Sequence, residues 1–114
     1  MPRRAAFAIH SFTPELAGHV RPWSVGLLSR NDDSTADALS RSLGASAPDA
    51  LIARNEPYRI EDDSDWFIPQ HAERLDLAHC LIEIRNDLLA TPQGQALWAA
   101  RLADAIRAVM EDPT

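Results

Sequence analysis

Four short apolar runs punctuate the chain, at Ala5 to Ile9, Ser24 to Leu28, Ala50 to Ala53 and Cys80 to Ile84. They show little polar–apolar alternation, which predicts strands covered on both faces rather than strands with one wet face. Between them the period becomes helical. Over Ser34 to Leu43, Ala36, Leu39 and Leu43 share one stripe, while Asp37 and Arg41, four apart, are placed to pair on the other. Gly44 follows and is expected to close that helix in a left-handed conformation. Thr91-Pro92 is a helix start, with a capping hydroxyl and then a proline where no N–H is needed. From there Trp98, Leu102, Ile106 and Val109 form an apolar stripe, and Arg101, Asp104, Arg107 and Glu111 a charged one. That pattern predicts an amphipathic helix of about five turns lying on a sheet. Residues 66–74 predict a shorter helix strained by Pro69. Residues 11–23 and 54–65 predict long ordered loops.

Strands alternating with helices predict one α/β domain over residues 1–114, with a mostly parallel or mixed sheet flanked by helices. Ligands of such sheets bind outside the carboxyl ends of the strands. His10 ends the first run, Asn55 and Glu56 follow the third, and Glu83 and Arg85 close the fourth. These polar side chains are therefore expected to converge on one edge of the sheet.

Charge narrows the ligand. The chain carries 17 acidic residues against 11 basic ones, all of them arginine, for a net charge of −6. Nucleic acid and anionic membrane surfaces demand clustered positive charge and are excluded as expected partners; a small anion held by one or two arginines is not. A single cysteine, Cys80, forms no internal disulfide, which suits a reducing cytoplasm, and its apolar neighbours read as those of a buried structural thiol. The apolar run at 5–9 is too short for a signal peptide, and no run approaches the roughly 18 residues of a membrane span.

Two residues carry the candidate chemistry. An imidazole at a strand end, such as His10, suits a metal ligand, although on spacing alone a loop-capping histidine is the better fit, since no second ligand lies at metal-site spacing. Glu83 lies between Ile82 and Ile84, so in a buried strand it is either ion-paired or held with a raised pKa, as a general base requires. Arg85 shares its face by alternation and either binds a substrate carboxylate or pairs with Asp87 or an N-terminal acid. Arg21-Pro22-Trp23 and Asn55-Glu56-Pro57-Tyr58 are proline-pinned segments fit for a binding wall or for plain turns. His71 and Glu73 read as a helix start, and the acidic run at 61–65 as a solvated loop. No nucleophile elbow and no glycine-rich phosphate loop is present.

The strings Ala8-Ile9-His10-Ser11-Phe12-Thr13-Pro14, Arg21-Pro22-Trp23, Asn55-Glu56-Pro57-Tyr58, His71-Ala72-Glu73, Ile82-Glu83-Ile84-Arg85-Asn86-Asp87-Leu88 and Gly94-Gln95-Ala96-Leu97-Trp98-Ala99 stand here in the order in which N-formylglutamate amidohydrolases have them. By that resemblance the chain is similar to the C-terminal half of this family, whose wider fold resembles that of zinc carboxypeptidases within the phosphorylase/hydrolase-like folds. The resemblance implies zinc, with His10 as a ligand and Glu83 as the catalytic general base. Arg21 or Arg85 would receive substrate carboxylates, and Asn55, Tyr58 and His71 would line the pocket. It implies hydrolysis of N-formylglutamate or a related N-acyl amino acid to the amino acid and formate, a step of histidine degradation. In that family the other zinc ligands lie on an N-terminal half, so the resemblance implies a complementing N-terminal chain or a homo-oligomer. The alternative expectation is a non-catalytic remnant or binding module of the same fold.

Overall fold

The chain forms β1 (Ala5–Phe12), β2 (Glu15–Leu16), β3 (His19–Val20), β4 (Val25–Leu28), α1 (Asp33–Ser46), β5 (Ile52–Arg54), β6 (Ala78–Arg85), a 3-10 turn over Asn86–Leu89, and α2 (Pro92–Glu111). This is seen in a computed structural model that describes residues 4–60, 72 and 77–111. The main sheet has the order β1-β6-β4-β5. β1 runs parallel to β6 and β4 parallel to β5, but β4 and β6 are antiparallel. The domain is thus α/β with a mixed sheet, helices covering one face.

Alternation along the strands explains why the runs looked evenly apolar. Cys80, Ile82 and Ile84 of β6, with Val25 and Leu27 of β4, face the helices. There they meet Ala36, Leu39 and Leu43 of α1 and Trp98, Leu102, Ala105 and Val109 of α2. Each large aliphatic side chain fully buried in this layer stabilises the fold by about 1.5–3 kcal/mol. Leu28 and Leu81 point the other way, into a smaller core with Ala8, Ile60 and Ala72. Both faces are covered, so period two separates two apolar sets rather than apolar from polar.

α2 begins as the sequence predicts. The Gly94 N–H donates to the Thr91 hydroxyl at 3.0 Å, and Pro92 opens the helix. Ile106, placed in the buried stripe, is only partly buried. α1 departs from expectation at its end: it runs through Gly44 to Ser46. Gly44 stays helical because Ala45 and Ser46 continue the pattern, the Ser46 hydroxyl donates to the Ser42 carbonyl at 3.3 Å, and Pro48 supplies the stop. Asp37 does not pair with Arg41; the Arg54 guanidinium, arriving from β5, takes its carboxylate. The predicted loop at 11–23 is partly structured. β1 extends to Phe12, and β2 and β3 form a small antiparallel ladder across Ala17 and Gly18, both at positive φ. Two-residue strands leave no periodic signal, which is why the sequence reads as loop there. The helix expected at 66–74 and the acidic run at 61–65 lie outside the described residues, Ala72 apart.

Among the described residues β1 has a strand on one side only. Beside it, between β1 and α2, lies a groove of about 620 Å³ lined chiefly by Ile9, Ile84, Leu89, Trp98, Leu102 and Ile106. Ile9 is 52% exposed there. No helix of the described residues is long and apolar enough to cross a membrane.

Candidate functional site

The site is a row across the sheet. Glu83 is in register with His10 on one side and Gly26 on the other. Residues in register share a face, so the imidazole, the carboxylate and the bare α-carbon of Gly26 stand side by side, away from the helices. Glu83 is buried at 2% exposure while His10 stands open at 58%. His10 Nδ1 lies 3.5 Å from Glu83 Oε1. That separation exceeds an ordinary hydrogen bond and leaves an electrostatic pair when the ring is protonated. The Tyr58 hydroxyl donates to the same Oε1 at 2.8 Å.

Tyr58 reaches Glu83 by an unexpected route. Asn55 and Glu56 were expected at the same sheet edge as His10 and Glu83. They leave from the other end, because β5 follows β4 and therefore runs against β6. Asn55 then turns the chain back, at φ 56. Its N–H donates to the Leu27 carbonyl at 3.0 Å, and its side-chain oxygen accepts from the Ser29 N–H at 3.0 Å. The returning backbone lies directly on β4: a Cβ at position 26 would stand 1.6 Å from the Glu56 carbonyl oxygen. Only a glycine admits that approach. Tyr58 follows two residues later, and Ile60 then enters the smaller core.

Arg85, Arg21 and Asn55 make local contacts away from Glu83. Arg85 Nε donates to Asp87 at 2.7 Å and its NH1 to the Pro22 carbonyl at 2.9 Å, so of its two sequence readings the structure places it in the ion pair. Arg21 stacks on the Phe12 ring, 5.8 Å from its centroid, and donates to the Thr13 carbonyl and hydroxyl at 3.3 Å each. Asn55 shapes the turn that carries the chain back towards Tyr58. His71 lies outside the described residues. His10, Glu83 and Tyr58 are the predicted residues brought together. Gly26 was missed, though a glycine inside an apolar strand is a recognised sign of close backbone approach.

Two groups elsewhere have displaced acidities. Partial burial works to raise the Asp32 pKa, but hydrogen bonds from the Thr35 hydroxyl, the His79 N–H, the Ser34 hydroxyl and the Thr35 N–H outweigh it, lowering the carboxyl from 3.8 to about 2. Burial pushes the Cys80 thiol up to about 12. Cys80 is therefore the structural thiol its neighbours predicted.

A catalytic zinc takes three protein ligands. Among the described residues no three His, Cys, Asp or Glu side chains gather in ligand geometry. His10 and Glu83 are one imidazole and one carboxylate, and by themselves they do not make a complete zinc site.

No family model and no curated protein matches the chain. A crystallised gene product of Agrobacterium tumefaciens is similar to it, with 35% identity and a TM-score of 0.78 over 93% of this chain. The chain spans 42% of the length of that protein.

Proposed function

We propose that this chain carries the general-base side of a metal-dependent amidohydrolase site of the N-formylglutamate amidohydrolase type, within a zinc carboxypeptidase-like fold. One observation carries the reading: an imidazole and a buried carboxylate stand in register on adjacent parallel strands, 3.5 Å apart, with the imidazole open to solvent. The substrate is N-formylglutamate or a related N-acyl amino acid. Glu83 accepts a proton from the attacking water as its oxygen adds to the formyl carbon. It returns that proton to the amide nitrogen as the C–N bond breaks, releasing amino acid and formate. His10 would hold a zinc ion as one of its ligands, the others lying outside the described residues. Bound there, zinc would polarise the formyl carbonyl and acidify the water. A reducing cytoplasm fits the buried thiol.

Zinc content and formate release from N-formylglutamate test this, on the chain alone and combined with polypeptide that completes the site. In the active form Glu83→Gln is expected to lower kcat/KM by about 10²- to 10⁴-fold with zinc retained, and His10→Ala to lower zinc occupancy. Full turnover by the Gln variant would remove Glu83 from the reaction. The second reading is a binding module without catalysis, which predicts neither zinc nor turnover in any combination.

A further inference from the structure

We propose that Tyr58 is a positioning residue for Glu83, and that Gly26 is what allows it to be one. The inference rests on Glu83 being the base named above. It arises from a chain of contacts rather than from any one of them. Gly26 lacks a side chain, so the Glu56 carbonyl can lie against β4 where a Cβ would stand 1.6 Å away. That approach fixes the height at which the loop crosses the sheet. Asn55 anchors the start of the crossing to Leu27 and Ser29, and Ile60 anchors its end in the smaller core. Between these anchors the Tyr58 hydroxyl arrives 2.8 Å from Glu83 Oε1.

The consequence falls on the orientation of the carboxylate. Oε1 is held by a donor on one side and faces His10 Nδ1 on the other, 3.5 Å away. A carboxylate fixed through one oxygen cannot rotate about its terminal torsion without breaking that bond, so the base is kept aimed at the solvent-open imidazole. His10 from β1 and Tyr58 from the loop are titratable groups that face Glu83, and Gly26 from β4 brings none. Tyr58 is itself 39% exposed, so its hydroxyl can leave Glu83 without dismantling the core.

The test is the ordering of the Glu83 side chain, read at one pH from carbon relaxation of its carboxyl group by NMR on the whole chain, which reports the contact whether or not the protein hydrolyses amides. Losing the donor frees the terminal torsion. Tyr58→Phe is therefore expected to lower the order of that carboxyl group. Gly26→Ala is expected to do the same by lifting the loop, although it removes no group that touches the carboxylate. The combined Gly26→Ala/Tyr58→Phe variant is expected to lose no more order than Tyr58→Phe alone, because the two act through one bond. Additive losses would overturn the role of Gly26, and unchanged order in Tyr58→Phe would overturn the proposal outright. Should Gly26→Ala fail to fold, Tyr58→Phe still decides the positioning role. Absence of hydrolysis with these losses observed would count against the proposed function alone.

Discussion

Glu83 is flanked by two isoleucines in sequence and by an imidazole and a bare α-carbon in space. The first fact is legible in the sequence and the second is not. Alternation placed Glu83 opposite Ile82 and Ile84, but the pairing of β1 with β6 decides that His10 stands beside it. Arg85 shows the limit of the same reasoning: alternation puts it on the site face, and a local bond to Asp87 then takes its guanidinium away. Cys80 offers a clean check at this scale. With its thiol at about 12 and its side chain fully buried, it is expected to resist maleimide or disulfide reagents at pH 8 in the native state. In denaturant it should react at the rate of an ordinary cysteine. Rapid native labelling would mean that β6 opens readily.

Among the elements, α2 was the most legible, because twenty residues keep one amphipathic period behind a Thr-Pro start. The direction of β4 was the least legible, since a parallel and an antiparallel strand buried on both faces have the same composition. The start of α1 lies between these. Asp32 caps it, accepting from the Thr35 N–H, and also accepts the His79 N–H from β6 at 2.9 Å, so one carboxylate ties a helix to the central strand. Its folded pKa lies below its unfolded one. The stability it confers is therefore present above about pH 4 and is lost as pH falls towards 2. Asp32→Asn is expected to flatten that part of the acid unfolding curve. Asp32→Ala should cost about 0.5–2 kcal/mol for the cap, with the loss of the β6 bond added. Urea melts at pH 7 and pH 3 would measure both; equal slopes for wild type and the Asn variant would mean the carboxylate carries no linkage.

At the scale of the molecule, helices close one sheet face, and among the described residues no strand lies beyond β1. β1 is eight residues long, contains no Asp, Glu, Lys, Arg or Pro, and borders the apolar groove beside α2. Strand edges are normally protected by charge, proline or cover. The isolated chain is therefore expected to associate. Ile9→Glu, which puts a charge on the exposed edge and into the groove mouth, should shift it towards monomer in light scattering at matched concentration. A wild-type chain that stays monomeric at high concentration would show that the edge is covered in some other way. Surface of this kind was foreseeable only through the family resemblance, because composition and net charge are those of an ordinary globular protein.

The pairing of β1 with β6 gives this row of residues a property independent of any reaction. Sliding one strand past the other by a single residue would turn the imidazole to the helix side and set Ile9 or Ser11 opposite Glu83. Proximity of this ring to this carboxylate therefore exists in one alignment of the two strands and in no neighbouring one. A single imidazole resonance that responds to Glu83→Gln would report that the β1–β6 pairing has formed correctly, in refolding or in any assembly that contains the chain.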